Sequence, residues 1–467
     1  MQQLKSARKP PARKDNPELA EIHVSGKRGS LTMGLLWLTL LTSFPALLIG
    51  FEWYRQGIAL SDLLISLAIS ACIILAYSVP ICLLSASTGL SFKMLSRPVF
   101  GLAGNKMLVG CLIFLFFGWY TVCALLMADV VCGLFGLKSI FVGLAVAFTF
   151  AMAINNFFGF TGVANFSKYV AAPVLIAWVL TTFCKIAPSV SSTLLLAPGK
   201  AGFVAAFTTI TSFTIGFFIW GNEADYWRHC RPKAVPIALA LACALFVGEF
   251  VFPLTGWLIA AKFGITDSTV ATGFLNQFSF AGLSVLAVLV LGANYFAAND
   301  ANLYALVHAC EGAGKMSHRS AVFLVTAVCS LASFLLARLG AAGALEQICA
   351  LNCIIIPTAT VIVMAEWLFL SRRRRCLEQV VPLISWPAIV AFAAGMTLGL
   401  ITSGIVPALS KWHVGLPPLQ AWALALAIYI PWRLKEIKAA KVSAAAENVS
   451  PLTLEPMVVQ SAGSILR

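Results

Sequence analysis

Residues 31–51 read LTMGLLWLTLLTSFPALLIGF, an apolar stretch interrupted at its middle by Thr42-Ser43-Phe44-Pro45. Its length matches the roughly 20 residues that an α-helix needs to cross a bilayer. Proline inside a helix removes one backbone hydrogen bond and clashes with the preceding turn. In lipid, freed backbone groups are tolerated only where they line a cavity or are buried in protein. The stretch therefore predicts a membrane helix that is broken near its centre.

A second interrupted stretch lies at residues 203–222. Its hydroxyl residues and glycines are Thr208, Thr209, Thr211, Ser212, Thr214, Gly216 and Gly221, and it ends in Asn222-Glu223. Interrupted hydrophobic segments at corresponding positions of two halves indicate a binding site near the bilayer midplane. The spacing between the two stretches is the one that a five-plus-five inverted repeat requires. The alternative is a pair of ordinary helix kinks.

Apolar stretches of similar length recur along the whole chain. They predict twelve transmembrane helices, at approximately 31–51, 59–84, 107–133, 138–156, 169–187, 203–222, 234–261, 281–308, 320–338, 345–370, 383–404 and 415–433. The chain is 60% hydrophobic and only 11% charged, a composition that excludes a soluble protein of this length. The connections are short, so we expect no separate soluble domain. The sequence therefore predicts an all-α integral membrane protein.

Basic residues are distributed unevenly between the connections. Of the 32 Lys and Arg residues, seven fall on the side opposite to the N terminus: Arg55, Lys138, Lys185, Lys200, Lys262, Arg338 and Lys411. Because positively charged loops stay in the cytoplasm, both termini are predicted to be cytoplasmic. Residues 1–30 and 434–467 are predicted to be disordered tails. Short tails and compact loops favour a bacterial inner (plasma) membrane.

This orientation also accounts for the net charge of +14. The run Arg372-Arg373-Arg374-Arg375 directly follows an apolar helix, which favours a stop-transfer and lipid-headgroup role over nucleic-acid binding. The thirteen cysteines form no CxxC pair, and most lie in apolar runs, where a thiol behaves as a small hydrophobe. No P-loop, HExxH or nucleophile elbow occurs, so we expect no cofactor, no metal site, no enzymatic activity and no primary active transport.

The third stretch carries an aromatic cluster. Phe116, Trp119 and Tyr120 are spaced three and four residues apart, so they share one helix face. Gly118 lies beside them and allows close approach to the backbone. Aromatic faces suit flat ligands, and stacking on a base is worth roughly 1–3 kcal/mol. The alternative is that these rings face lipid or pack against other helices.

The eighth stretch contains the polar run GANYFAANDANLY, residues 292–304. A charged residue at the bilayer centre costs roughly 2.5–3.5 kcal/mol, so such residues usually face a cavity or a partner. Asn294 is the best candidate for a ligand contact because an amide both donates and accepts hydrogen bonds, as the edge of a nucleobase does. Asn299, Asp300 and Asn302 are further candidates. The alternative for these three is that they cap or bridge helices.

Two other acids lie within apolar stretches, Asp129 in the third and Glu249 in the seventh. Burial disfavours the charged form of a carboxyl, so either residue is a candidate proton carrier. The alternative is a hydrogen-bonded structural acid. Asp225 and Arg228, three residues apart after the sixth stretch, predict a local ion pair, and a gating role for Asp225 is the more speculative alternative.

Four motifs together resemble the nucleobase–cation symporter family, in its cytosine/purine/allantoin permease branch. They are Ser-Arg-Pro-Val-Phe-Gly at 96–101, Gly118-Trp119-Tyr120, Ala-Asp-Tyr-Trp-Arg at 224–228 and the polar run from Asn294 to Tyr304. The last is the most specific, and the first is typical of a cytoplasmic loop in that family. The resemblance covers roughly residues 25–435.

The resemblance implies a leucine-transporter-like fold with two inverted repeats of five helices and two extra helices. Its first repeat would be residues 31–187, its second 203–370, and its extra helices 383–433, all within a transporter domain of residues 31–433. It also implies that Trp119 stacks on a flat heterocycle and that an aromatic residue of helix six closes the other face. The candidates for that second residue are Phe213, Phe217 and Trp220. Asn294 would hydrogen-bond the substrate.

Two departures from the family pattern matter. Cytosine permeases have a polar amide three residues before the tryptophan, where this chain has Phe116, so cytosine itself is a doubtful substrate. Sodium-coupled members have hydroxyls just before the Asn-Asp pair of helix eight, where this chain has Ala297-Ala298. Only backbone carbonyls near Thr39 and Ser43 would remain for sodium. We therefore predict proton coupling or facilitation, with sodium coupling as the alternative.

The sequence thus predicts a secondary permease that imports a nucleobase-like heterocycle by alternating access. One alternative is an amino-acid or amine carrier on the same fold, for which Glu223 or Asp300 would supply a carboxylate. A membrane-embedded enzyme would need a catalytic or metal cluster, which five scattered histidines do not offer. A receptor that binds its ligand without transport is a further alternative. The oligomeric state and the exact substrate are left open.

Overall fold

The computed structural model describes residues 22, 26–265, 268–311, 316–339, 344–370 and 381–448, and these residues are almost entirely helical. Within the described ranges the β pairing is limited to one isolated bridge between Arg28 and Cys230. Most of the predicted N-terminal tail, the run Arg372-Arg373-Arg374-Arg375 and the C-terminal tail from residue 449 onwards lie outside the described residues.

The α-helices follow one another with short connections. In chain order they are α1 (Ser30–Leu41), α2 (Phe44–Arg55), α3 (Leu60–Thr88), α4 (Phe92–Phe135), α5 (Phe141–Ala151), α6 (Gly159–Phe166), α7 (Ala172–Ile186), α8 (Ser192–Leu195), α9 (Phe203–Phe218), α10 (Glu223–Trp227), α11 (Ala234–Leu245), α12 (Phe252–Phe263), α13 (Ser268–Phe280), α14 (Ser284–Glu311), α15 (His318–Leu339), α16 (Ala344–Met364), α17 (Trp386–Thr402) and α18 (Pro417–Asn448). Segments of π-helix at Ser167–Ala171, Phe246–Val251 and Ala365–Leu370 adjoin α7, α12 and α16.

The first predicted interruption is confirmed. Helix α1 ends at Leu41, helix α2 begins at Phe44, and the two are bent by 48°. Thr42 and Ser43 between them are extended, and the Ser43 hydroxyl accepts a hydrogen bond from the Ala46 N–H at 3.2 Å. Pro45 lies in the first turn of α2, where its missing N–H is not needed. The sequence Thr-Ser-Phe-Pro therefore ends one helix and starts another.

The second predicted interruption is also confirmed. Helix α9 ends at Phe218 and α10 begins at Glu223, with Ile219 extended between them. Gly221 has φ +85°, a conformation that favours glycine, and a Cβ there would lie 2.5 Å from a methyl carbon of Ile356. The Glu223 carboxylate accepts hydrogen bonds from the backbone N–H groups of Trp220 at 2.9 Å and Gly221 at 3.1 Å. Glu223 thus satisfies donors that the break exposes.

Seven helices among the described residues are long and apolar enough to cross a membrane, and eight if the bent α1–α2 pair is one span. The predicted spans 138–156 and 169–187 fall within one helical run, Lys138–Ser189, whose pieces meet at Gly159 with φ +61°. The sixth and eleventh predicted spans correspond to shorter apolar helices, Phe203–Phe218 and Trp386–Thr402. The number twelve therefore stays a prediction.

Three local expectations differ from the structure. Residues 434–448, expected in a disordered tail, are helical and belong to α18. The Ser-Arg-Pro-Val-Phe-Gly motif, expected in a loop, is helical and belongs to α4, which kinks at Gly101 with φ +78°. Freed N–H groups after the kink donate to a neighbouring segment, Leu102 to the Pro382 carbonyl at 3.0 Å and Ala103 to the Leu383 carbonyl at 2.8 Å. Helix α13 is not among the predicted spans, because its mixed polar and apolar sequence carries no transmembrane signal.

Helices α2 and α12 cross at two glycines. A Cβ at Gly50 would lie 2.0 Å from the Pro253 carbonyl oxygen, and one at Gly256 would lie 2.0 Å from the Leu47 carbonyl oxygen. Small residues allow membrane helices to approach this closely. Helix α2, the second half of the first broken span, is therefore fixed against α12 by close backbone packing.

Gly256→Ala is expected to destabilise the protein, since the added methyl group must push two backbones apart. Overpacking of this kind typically costs about 1–3 kcal/mol. The measurement is the melting temperature of the purified protein in detergent. Gly143→Ala is the matched control, because Gly143 also lies within a helix and a methyl group added there would have no atom within 4 Å. Equal melting temperatures for the two variants would contradict the close contact.

Candidate functional site

A central cavity lies where the two broken spans meet helices α4, α14 and α16. Its lining residues are Leu40, Ser43, Pro45, Trp119, Cys123, Leu126, Phe217, Trp220, Tyr295, Ala298, Asn302 and Asn352. Its volume is about 30 Å³, room for no more than a few water molecules. In this conformation the cavity is therefore too small for an aromatic heterocycle, and a ligand has to move the surrounding side chains.

Aromatic rings form two walls of the central cavity. The ring centroids of Trp119 and Phe217 lie 6.1 Å apart with an interplanar angle of 81°, an edge-to-face contact. Trp220 contacts Phe116 at 5.9 Å and Trp37 at 6.2 Å. In this conformation the rings contact each other and leave no flat slot between two parallel aromatic faces. Three residues of the sixth predicted span were candidates for the second stacking ring. Of these, Phe217 and Trp220 line this cavity and Phe213 does not.

Two buried asparagine side chains line the cavity, and the amide oxygen of each lacks a hydrogen-bond partner among the described residues. The Asn352 side-chain N–H₂ donates to the backbone carbonyls of Gly216 at 3.4 Å and Ile219 at 2.8 Å. The Asn302 N–H₂ donates to the Asn299 amide oxygen at 3.2 Å. Neither Asn302 Oδ1 nor Asn352 Oδ1 has a hydrogen-bond partner among the described residues. Since buried acceptors are normally satisfied, both oxygens are suited to accept N–H groups of a ligand.

Asn352 is not among the candidates that the sequence indicates. It lies in the otherwise apolar run ALNCIII, residues 350–356, and it is 3% exposed. A single amide within a membrane helix is itself a signal, because such residues usually face a cavity or a partner. Cys123, which also lines the cavity, carries no comparable signal in the sequence, whereas Tyr295 lies within the polar run 292–304.

The structure places Asn294 at the break of the first span. Its side-chain N–H₂ donates to the Thr42 carbonyl, and its Oδ1 accepts from the Phe44 N–H at 3.0 Å. The amide thus replaces backbone hydrogen bonds that the break removes. Asn294 is fully buried and is not among the residues that line the central cavity. Substrate binding by Asn294 therefore stays a prediction.

The remaining aromatic and amide candidates have packing partners outside the cavity. Tyr120 is fully buried, and its hydroxyl donates to the Thr149 carbonyl at 2.5 Å. Asn299 donates to the Tyr120 carbonyl at 2.9 Å and so joins α14 to α4. Phe116 is buried behind Trp220. Their predicted contacts with a substrate are untested by this arrangement.

The acidic candidates lie at different depths and have different partners. Asp300 is fully buried and accepts from the Asn155 side chain at 2.6 Å. Asp225 accepts from the Phe92 N–H at 2.8 Å, which joins the segment after the second break to the start of α4. Asp129 is exposed near the end of α4. Asp300 and Asp225 thus connect separate elements of the bundle.

Glu249 differs from these acids because it has few hydrogen-bond partners among the described residues. It is fully buried in the π-helical segment before α12, and the Ser70 hydroxyl donates to its Oε1 at 2.6 Å. Its Oε2 has no partner among the described residues. The neighbouring Gly248 packs directly on the first break, since a Cβ there would lie 2.7 Å from the Leu41 carbonyl oxygen. A change at Glu249 can therefore act on the broken span.

Thr39 and Ser43 are the residues suggested for a cation, but their hydroxyl groups already form hydrogen bonds with the backbone. The Thr39 hydroxyl donates to the Leu36 carbonyl at 2.7 Å, and the Ser43 hydroxyl caps α2. The Thr42 carbonyl between them accepts from Asn294. Ala297 and Ala298 supply no side-chain oxygen. Hard cations need several oxygen ligands, and the groups at this break are poorly suited to one.

The bundle end at which α1 begins is tightly closed. The Arg28 N–H donates to the His229 carbonyl at 2.7 Å, and the Arg28 guanidinium donates to the Asn165 amide oxygen at 3.1 Å. The Tyr226 hydroxyl donates to the Ala301 carbonyl at 2.9 Å. These contacts connect the residues before α1, the second break, α6 and α14.

This architecture is similar to that of known membrane transporters. One is Mhp1, a nucleobase-cation-symport-1 family transporter, in a closed conformation with bromovinylhydantoin bound, with 17% identity, a TM-score of 0.70 and coverage of 90% of this chain and 96% of that chain. Mhp1 in its inward-facing conformation aligns with 16% identity and a TM-score of 0.69 over 91% and 94% of the two chains. A Na⁺-coupled sialic acid symporter aligns with 10% identity and a TM-score of 0.64 over 88% and 92%. No protein with a curated function matches the sequence.

The two broken spans around a central cavity and these similarities define the fold as that of the transporters named above. The particular family follows from the sequence. Residues 28–415 match the family described as permeases for cytosine/purines, uracil, thiamine and allantoin, and the chain belongs to this family. The expected family and the expected class of transport protein are thus confirmed.

Proposed function

We propose that this permease imports an uncharged nitrogen heterocycle that carries ring N–H groups. The observation that carries the proposal is the pair of unpartnered amide oxygens, Asn302 Oδ1 and Asn352 Oδ1, in a cavity walled by aromatic rings. Two acceptors select a ligand with N–H donors, and Trp119 with Phe217 or Trp220 would hold the ring by stacking.

The uncharged character follows from the same cavity. None of the described residues that line it is an acid or a base. The two carboxylates that an amine carrier would use, Glu223 and Asp300, are fully buried, and neither is among the residues that line the cavity. A desolvated cation without a carboxylate is strongly disfavoured. A neutral nucleobase or hydantoin-like ring is therefore favoured over an amine or an amino acid.

We propose proton rather than sodium coupling. The Asn294 amide already forms hydrogen bonds with the backbone polar groups of the first break, and Ala297 and Ala298 have no side-chain oxygen. The break is therefore poorly suited to a cation. Glu249, with its single hydroxyl partner beside the break, is the preferred proton carrier. Asp129, being exposed near a helix end, is the second candidate.

The proposed arrangement in the membrane keeps the expectations from the sequence. The proposed protein has twelve spans, arranged as two inverted repeats of five and two additional helices. An even number of spans places both termini on the same side, the cytoplasm. The membrane is the inner (plasma) membrane. The basic residues then lie mostly on the cytoplasmic side. The bundle end closed by Arg28 would face the cytoplasm, and the opposite end would face outward.

The test is a thermal-shift panel of uracil, hypoxanthine, hydantoin and allantoin, each with and without sodium. A ligand that binds the native state raises its melting temperature. We expect a sodium-independent shift by at least one parent ring and a clearly smaller shift by its N-methylated form, which lacks the donor. A sodium-dependent shift would overturn proton coupling. Shifts by amines or amino acids alone would overturn the proposed substrate class.

Asn352→Ala is expected to weaken binding of the parent ring about 10-fold or more and to abolish its advantage over the N-methylated ring. Hydrogen bonds of this kind contribute roughly 0.5–1.5 kcal/mol, and more where a buried partner is left unsatisfied. The measurement is the dissociation constant of each ring for the native and variant proteins. The Ser330→Ala variant is the control, because its hydroxyl bonds only within α15, to the Ala327 carbonyl. Unchanged discrimination in Asn352→Ala would contradict the assigned role.

A further inference from the structure

A second, larger cavity lies at the bundle end opposite to the start of α1. Its volume is about 210 Å³, compared with about 30 Å³ for the central cavity. Its lining residues come from the ends of α2, α9, α16 and α18 and from the α17–α18 connection, and they include Glu52, Trp53, Ser212, Phe213, Cys353 and His413. Several water volumes fit in this space, so it accommodates a small ring that the central cavity does not.

One pair of stacked rings joins a wall of the outer cavity to a wall of the central cavity. Phe213 lines the outer cavity and Phe217, one turn further along α9, lines the central cavity. Their centroids are 5.4 Å apart with an interplanar angle of 14°. The Trp53 ring meets Phe213 edge to face at 5.8 Å and 89°. A flat ligand leaving the outer cavity would therefore move from one aromatic face to the next along the same helix.

The outer cavity also holds unused hydrogen-bond donors. Trp53 is fully buried, and its indole N–H has no partner among the described residues. The Ser212 hydroxyl oxygen is likewise buried and unpartnered within the described chain. Buried polar groups of this kind are rarely left unsatisfied. Two donors beside an aromatic wall suit the carbonyl oxygens of a flat heterocycle.

The charge of the outer cavity is already balanced. Glu52 is its acid, and its Oε2 accepts from Arg55 Nε at 2.7 Å while its Oε1 accepts from Gln56 Nε2 at 2.8 Å. The carboxylate is thus neutralised by the adjacent guanidinium. A cationic ligand would therefore gain little electrostatic stabilisation in this cavity, and a neutral ring would not be disfavoured by an unpaired charge. The charge of both cavities therefore favours the same neutral class of ligand.

We infer that the outer cavity is a second binding subsite, at which the heterocycle docks against Phe213 and Trp53 before it passes to the central cavity. This inference rests on the proposed function. The ring carbonyls accept hydrogen bonds from the Trp53 indole N–H and the Ser212 hydroxyl. Entry into the central cavity then requires the Phe213 and Phe217 rings to rotate apart. The outer subsite binds more weakly, since it is wider and partly open.

The test is equilibrium binding of radiolabelled uracil, hypoxanthine and allantoin to the purified full-length protein. We expect two ligands per polypeptide in the native protein and one weaker ligand in Trp119→Ala. Adding Trp53→Phe and Ser212→Ala to Trp119→Ala should weaken the residual binding at least 10-fold. Trp53→Phe keeps an aromatic ring and removes the N–H donor. Ser403→Ala is the matched control, because Ser403 lines the same cavity but its hydroxyl already donates to the Leu400 carbonyl.

The possible outcomes separate the two proposals. One ligand in the native protein and none in Trp119→Ala would overturn the outer subsite and leave the proposed function intact. Residual binding that is insensitive to Trp53→Phe and Ser212→Ala would also overturn it. Binding of none of the three probes to the native protein would overturn the proposed function, and this inference with it. In uptake assays, the double variant Trp53→Phe/Ser212→Ala should lower kcat/KM several-fold while one tight ligand per polypeptide is retained.

Discussion

Trp119→Ala is expected to abolish saturable uptake of the transported heterocycle while the protein remains folded and inserted. Trp119 lines the central cavity and contacts Phe217 edge to face. Its removal would delete one face of the slot in which a ring is held. Stacking on an aromatic side chain is worth roughly 1–3 kcal/mol, which corresponds to about a 5- to 150-fold loss in affinity. The loss in transport should be at least as large, since the ring must also be held while the cavity closes.

Uptake of labelled substrate into cells and binding to the purified protein are the two measurements. Trp412→Ala is the matched control, because Trp412 is 56% exposed in the α17–α18 connection and lies outside both cavities. Elution as a single species from size exclusion and an unchanged melting temperature establish that Trp119→Ala is folded. Saturable uptake at the native level by this variant would refute the stacking role.

Glu249→Gln is expected to abolish accumulation against a gradient and to spare exchange of labelled for unlabelled substrate. A carboxyl buried in the membrane with a single hydroxyl partner is more stable when it carries a proton. In the proposed mechanism, Glu249 takes up a proton when it faces the more acidic side and releases it when water reaches it from the other side. Glutamine has nearly the same shape and cannot release a proton, so the ligand would cross without the pH gradient.

The assay compares accumulation in vesicles with and without an inwardly directed proton gradient. Native uptake should increase as the outside becomes more acidic and should fall when the gradient is collapsed. Asp129→Asn is the comparison variant, because Asp129 is exposed near a helix end, and it should keep the response to the gradient. Full accumulation by Glu249→Gln would rule out Glu249 as the carrier. Uptake that needs sodium and ignores the proton gradient would rule out proton coupling altogether.

The sequence was most informative where a residue type conflicts with its surroundings. Pro45 in an apolar stretch and Gly221 before Asn222-Glu223 indicated the two breaks, because neither fits an uninterrupted membrane helix. The polar run 292–304 identified α14 as a helix with buried partners. Expectations of this kind depend only on local backbone chemistry and on the cost of polar groups in lipid. The structure confirms the breaks and finds Asn294, Asn299, Asp300 and Asn302 all buried.

The role of each polar residue was harder to predict from the sequence. Asn294 and Asn302 lie eight residues apart on the same helix, and the sequence favoured Asn294 for the ligand. The structure places Asn294 across the break of the first span, 250 residues away from Phe44 along the chain, and leaves Asn302 Oδ1 at the cavity. A hydrogen-bond partner at such a distance in sequence cannot be read from periodicity. Asn352 is visible in the sequence as a lone amide in an apolar run, but its place at the cavity depends on the same kind of distant contact, here with the Ile219 carbonyl.

The sequence by itself determined that the chain is a helical membrane protein, that two of its spans are broken, and which family motifs it carries. These properties follow from hydrophobic length, from proline and glycine geometry, and from short local motifs. Only the tertiary structure decided which polar atoms are left unsatisfied, because satisfaction depends on helices that meet far apart in the chain. It also decided that two cavities lie along α9, one on each side of the stacked Phe213 and Phe217 rings.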